Sequence, residues 1–317
     1  PIGGQSAIIK LRWGYSPEEM KFEGAPGFIK FALGENVKQS NRSNNYRSRY
    51  PQTRVGVEQV FENYFTEAQQ YGEALKNGEN IRRDLELETL LEIINSERFI
   101  TCHSYQQGEI NMLMKVAERF GFRVNTFTHI LEGYKVADKM AEHGVGGSSF
   151  SDWWAYKYEV VDAIPYNGAL MHEQGVTVAF NSDDAEMARR LNQEAAKAVL
   201  FGDVPEEEAL KFVTLNPAKL LHIDDQVGSL KVGKDADIVL WTDHPLSVYA
   251  RAKHTYIDGI KFYDMDADVK LREEVQAERN ALIQAMLEAK DGGARTQQAR
   301  GRGQRHYHCD TEDDEAK

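Results

Sequence analysis

Two cysteines in 317 residues, Cys102 and Cys309, exclude a disulfide framework. They lie far apart, and Cys309 sits in a polar tail, so no bridge between them is expected. Basic residues are also in deficit. Thirty-eight Lys and Arg against 50 Asp and Glu give a formal net charge of −12. A nucleic-acid binder needs a basic face, so no nucleic-acid partner is expected. No apolar run approaches the roughly 20 residues that span a bilayer, so no membrane span is expected either. The chain opens at Pro1 and shows no charged n-region, apolar h-region and cleavage site. A mature or excised fragment is the simplest reading. Any targeting signal would lie upstream, which leaves the compartment, cytoplasmic or exported, undetermined.

What is present is ordinary for a globular protein: 41% apolar and 28% charged residues. The length suffices for one large domain and a small one. Short apolar runs alternate with amphipathic helices. Strands are expected at Gly27–Leu33, Arg98–His103, Arg123–His129 and Gly175–Asn181. Helices are expected at Val55–Lys76, Leu85–Ile94, Gly108–Phe120 (closed by Gly121), Gly133–His143 (closed by Gly144), Ala185–Phe201 and from Glu206. Pro1–Gly14 reads as a loop and strand leading into the first of these units, and 40–54 as a polar, Arg-rich loop. Such alternation argues for a parallel α/β fold. A doubly wound sheet fits it as well as a (β/α)8 barrel does. Polar residues fall at the C-terminal ends of successive strands, where barrels place their active sites. After Leu221 the texture changes to short β runs at Val227–Gly233, Ala236–Trp241 and His254–Tyr263, with Asp258-Gly259 as a hairpin signal.

Three strand ends present metal-type ligands: His103, His129 and Asp183. Neutral imidazole suits Zn²⁺ and related ions, and an aspartate serves as both ligand and base. Each also has a plainer explanation. His129 can cap the following turn, and Asp183 can cap a helix. Repetition at consecutive α/β units favours the functional one.

Asn181-Ser182-Asp183-Asp184, the Thr214–Leu221 run TLNPAKLL and the Val227–Trp241 run VGSLKVGKDADIVLW resemble the end of the amidohydrolase superfamily, nearest its imidazolonepropionase-related and prolidase-like branches. The resemblance covers roughly Gly27 to Asp264. It implies an α/β fold: a partial TIM-type (β/α)8 barrel, about strands 4–8, plus the C-terminal part of a small β-sandwich. It implies a divalent metal, zinc first, as one or two ions, and hydrolysis of a C–N bond in an amide, cyclic amide or peptide-like substrate. His103 matches the strand-five ligand, His129 the strand-six ligand, and Asp183 the strand-eight aspartate that binds metal and shuttles the proton. Lys30 matches the strand-four lysine that becomes carbamylated, with Glu35 as the alternative; a lysine snorkelling to solvent is the plainer account of Lys30.

The family's strand-one His-x-His pair is absent. The His-x-His in the tail, His306-Tyr307-His308, is a poor substitute. The segment alone is therefore expected to be inactive or poorly folded. The competing reading is a non-catalytic fragment or a degenerate amidohydrolase-fold interaction protein. Tyr105, Trp153, Tyr156 and Asn167 are candidates for contact with a small-molecule or short-peptide substrate, with Trp154, Arg47 and Arg49 as weaker ones. Self-association into a homo-oligomer is compatible with everything above. His143, His172, His222, His244 and His254 receive structural readings, and the Cys102 side chain should point opposite to that of His103. The chain divides as 1–222 (barrel segment), 223–268 (sandwich segment), 269–290 (C-terminal helix) and 291–317 (disordered tail).

Overall fold

The structure, a computed structural model, describes residues 1–38, 50–151, 154–184 and 187–297. The chain divides into two compact units, Pro1–Asp235 with Pro245–Val248, and Ala236–His244 with Tyr249–Lys317. In the first unit, six strands lie side by side in chain order: β1 (Ile2–Ser6), β2 (Gly27–Ala32), β3 (Arg98–His103), β4 (Thr126–Thr128), β5 (Gly146–Ser149) and β6 (Val178–Phe180). β1 runs antiparallel to β2, and the other four pairings are parallel. Helices connect the parallel strands: Arg54–Lys76 and Leu85–Ile94 after β2, Gln107–Phe120 after β3, Ala137–His143 after β4 and Asn167–Glu173 after β5. Leu191–Gly202, Glu206–Lys211 and Leu215–Leu220 follow β6. Among the described residues, no helix is long and apolar enough to cross a membrane.

Strand register separates the sheet into two chemically different faces. Side chains alternate along a strand, so Ile29 and Phe31, Ile100 and Cys102, Phe127, and Val178 and Phe180 share one face. All belong to the main apolar core. Phe31 packs against Phe61 and Phe65 at ring-centroid distances of 5.2 and 6.2 Å, and Phe65 stacks on Phe122 at 4.3 Å. The opposite face carries Lys30, Thr101, His103, Thr126, Thr128 and Ser148, aligned across the sheet by the pairs Lys30↔Thr101↔Thr126↔Gly146 and His103↔Thr128↔Ser148. Cys102 and His103 thus point to opposite faces, as expected.

Caps set the helix limits. Thr53 Oγ1 accepts from Gly56 N–H at 3.0 Å, and Asp84 Oδ1 accepts from Glu86 and Leu87. Gly121 and Gly144 end their helices at φ 78° and 80°, the left-handed region where glycine is least strained.

One strand had no expectation, and three expectations need correction. β5 is a strand, although Gly146-Gly147-Ser148-Ser149 has little strand propensity. Close packing selects the glycines instead. A Cβ on Gly146 would lie 2.2 Å from Leu220 Cδ2 and 3.2 Å from the Thr177 carbonyl oxygen. Gly146→Ala is therefore expected to cost about 1–3 kcal/mol through overpacking, read as a lower urea midpoint; an unchanged midpoint would count against this packing. The expected strand at Val227–Gly233 is a turn region. Lys234 Nζ donates to the carbonyls of Asp224 and Val227 and to Ser229 Oγ, and Gly228 and Gly233 take positive φ. β4 is shorter than expected, because Val124 N–H donates to His143 Nε2 rather than to a strand. The helix expected from Ala185 begins at Leu191, after a 3₁₀ turn at Met187–Arg190; Ala185 itself lies outside the described residues.

The second unit holds an antiparallel sheet of β7 (Ile238–Trp241), β8 (Ala252–Ile257) and β9 (Ile260–Asp264), then the helix Met265–Asp291. Asp258 and Gly259 both have positive φ (53° and 77°), as the tight β8–β9 turn requires. Asp264 caps the helix by accepting from Asp266 and Ala267 N–H.

Candidate active site

The C-terminal ends of β3, β4 and β6 bring the three expected donors to one edge of the sheet. His103 is the last residue of β3 and is fully buried. His129 follows β4 with φ 59°, a left-handed conformation that histidine adopts at some cost. The two rings lie 4.9 Å apart between centroids. The far side of His129 stacks on Phe150, the residue after β5, at 5.0 Å. Asp183 lies three residues beyond β6, with Oδ2 3.4 Å from His129 Nδ1.

Hydrogen bonding sets the His129 tautomer. Asn181, just after β6, satisfies both ends of its amide with the oxygen toward the ring. It then accepts from His129 Nδ1 at 3.1 Å and donates to Ser148 Oγ at 2.7 Å. With the proton on Nδ1, the imidazole lone pair lies on Nε2. This arrangement, one ring nitrogen donating to a protein oxygen while the other keeps its lone pair, is that of a ligand histidine.

Burial and nearby cations hold both imidazoles neutral. Desolvation, aided by the charges of Lys30 and Lys157, pushes His103 down to about 3. Burial again leads for His129, followed by its coupling to His103 and the charges of Lys30 and Lys157, and moves it well below the ordinary histidine range. The sign of the linkage follows. In the unfolded chain both titrate near 6.5, so acid protonates the unfolded state first. Stability is full above about pH 6.5 and falls as the pH drops below it, by up to ~1.4 kcal/mol per pH unit for each histidine. Urea midpoints of metal-free protein between pH 8 and 4 check this; a flat profile would contradict it.

The plainer account of Asp183 as a cap belongs to its neighbour. Asp184 Oδ1 accepts from Met187 N–H at 3.0 Å, and Ser182 Oγ accepts from Asp184 N–H at 3.1 Å. Lys30 stands on the polar face of β2, where its charge reaches both histidines. Glu35, the alternative, leads a short helix and binds Lys38 Nζ at 2.6 Å. Two neutral imidazoles and a carboxylate are the donor chemistry of a zinc-type centre. Thr128 Oγ1, beside His103 in register, and Ser104 Oγ are buried and have no hydrogen-bond partner among the described residues. Both observations fit a polar ligand at this edge. No three donors among the described residues surround a single ion position, so the set fits part of a centre.

The expected substrate residues fare differently. Tyr105 is fully buried, edge-on to His103 at 4.6 Å, and its Oη lies 3.2 Å from that of Tyr156. Asn167 is not a wall of this site. Its buried amide donates to the Ile130 carbonyl and Ser149 Oγ and accepts from Tyr134 N–H. Trp154 is 41% exposed and packs toward Phe201. Trp153, Arg47 and Arg49 lie outside the described residues. Lys157 and Glu159, missed in the sequence, form a buried ion pair beside Tyr105; a Lys-x-Glu pair in a loop carries no sequence signal of burial. A cleft of about 600 Å³ flanked by Ile2, Gln5, Tyr64 and Leu85 shares no residue with this site.

Comparison with known proteins gives this geometry its context. The model of the amidohydrolase family matches residues 164–290. A crystal structure of an amidohydrolase from Thermotoga maritima MSB8 aligns with a TM-score of 0.72 and 29% identity, over 83% of this chain and 69% of that one. The chain's relatives are amidohydrolases. Amidohydrolase tasK of Hapsidospora irregularis is 28% identical over 309 residues, which are 89% of this chain but 31% of tasK. Imidazolonepropionase of Shewanella baltica is 43% identical over 76 residues, 23% of this chain and 18% of that enzyme. The chain thus spans less than a third of these two curated amidohydrolases. The six-stranded, mostly parallel sheet agrees with the amidohydrolase fold.

Proposed function

We propose that β2 to β6 are about strands four to eight of a (β/α)8 amidohydrolase barrel, that β7 to β9 belong to a β-sandwich, and that the site hydrolyses a C–N bond in an amide, cyclic amide or short peptide. The observation that carries this reading is the pair of buried, neutral histidines at the ends of adjacent parallel strands, with Asp183 against one of them. His103, His129 and Asp183 would hold a divalent ion of the zinc type, with Lys30 from β2 in its carbamylated form, or else Glu35, as the strand-four ligand, and donors beyond the described residues would complete the set. When bound, such an ion lowers the pKa of water and polarises the scissile carbonyl.

The chain's own groups do the rest. Asn181 fixes the His129 ring and its tautomer. Phe150 and Tyr105 exclude water from the histidine pair. Asp183 accepts a proton from the attacking water and returns it to the leaving nitrogen. Tyr105 and Tyr156 line the approach of a small substrate. The test is hydrolysis of a panel of N-acyl amino acids, dipeptides and cyclic amides by the full-length protein before and after chelation. Release of amine that stops on chelation and returns with Zn²⁺ is expected. Release that chelation leaves untouched would sink the proposal.

A further inference from the structure

The Lys157–Glu159 pair is 3.1 Å long, with side chains 2% and 3% exposed. Desolvating two charges costs several kcal/mol, which their attraction repays only in part, so stability alone is a poor reason for it. Glu159 is anchored from the other side, where its Oε2 accepts from the Glu35 backbone N–H at 3.1 Å. Lys157 Nζ stands 4.3 Å from the centre of the Tyr105 ring and 5.3 Å from that of Tyr156, and it donates to Tyr105 Oη at 3.2 Å.

An ammonium only donates. Tyr105 Oη therefore accepts from Lys157, and the phenol proton is directed away from it. Tyr156 Oη, 3.2 Å off, is within reach of that proton. Tyr156 is 42% exposed, whereas Tyr105 is buried against His103. The exposed ring is thus the one on the solvent side, from which an acceptor arrives.

We propose that Lys157 is a positioning residue that fixes the buried Tyr105 hydroxyl as a hydrogen-bond donor beside the histidine pair, to be taken up by the carbonyl oxygen of an acyl substrate that displaces Tyr156. This rests on the hydrolase reading for the identity of the acceptor. It extends that reading by giving the β5–β6 loop a part in substrate alignment.

The test uses full-length protein labelled with ¹³Cζ-tyrosine, the Tyr105 resonance being assigned with Tyr105→Phe, and N-acetylglycine as the acyl probe. The probe is expected to shift the Tyr105 resonance in the native protein and in Lys157→Arg, which keeps a cation and donors. Lys157→Met should need about tenfold more probe for half the shift, the worth of one charge-assisted hydrogen bond. If the unpaired Glu159 unfolds Lys157→Met, the double variant Lys157→Met/Glu159→Leu removes both charges and should show the same loss. Unchanged half-saturation in whichever variant folds, or a Tyr105 resonance unmoved at saturating probe, would overturn the proposal. Hydrolysis is read separately. An intact Tyr105 response without turnover of any acyl substrate removes the hydrolase reading and keeps the contact.

Discussion

Asp183→Asn is expected to lower turnover by about 10²–10⁴-fold, the range for loss of a positioned proton carrier, while leaving the fold unchanged. Asparagine keeps the shape of the side chain and can still meet His129 Nδ1, now 3.4 Å from the carboxylate. It cannot take a proton from water. The local turn should survive, because Asp184 rather than Asp183 caps it. The effect should fall on kcat for whichever panel substrate the native protein cleaves, with the circular dichroism spectrum unaltered. A loss below about tenfold would show that another group moves the proton.

Phe31→Ala is expected to cost about 3–5 kcal/mol, as truncation of a fully buried aromatic does. Phe31 is wholly buried in β2, between Phe61 and Phe65 of the helix that follows. The same strand carries Lys30 on the opposite face, so a cavity behind Phe31 loosens the platform on which the site stands. Urea denaturation measures the loss. A cost below about 1 kcal/mol would mean that the face assignment of β2 is wrong.

Much of this architecture was legible in the sequence because hydrophobic periodicity is local. Arg98–His103 and Leu85–Ile94 agree with the structure residue for residue. His103, His129 and Asp183 stood out because each closes an apolar run, and the fold brings them to one sheet edge. What stayed hidden depends on tertiary contact. β5 has neither β-branched nor aromatic residues, and its glycines answer to Leu220 and Met171, far away in sequence. Lys157 and Glu159 look solvated until the loop carrying Val160 folds against Tyr105, Leu131 and Phe150. Asn167 looked like a pocket residue because its amide is polar, yet that amide is spent on the Ile130 carbonyl, the Tyr134 N–H and Ser149 Oγ inside the fold.

The central claim is that His103 and His129 are ligands of one metal centre. Its most direct test is the metal content of the full-length protein after equilibration with Zn²⁺, compared with His103→Asn and His129→Asn. Bound zinc in the native protein, with affinity reduced at least about 10-fold in each variant as loss of a ligand requires, is the expected result. Equal zinc content and affinity in all three proteins would contradict the account.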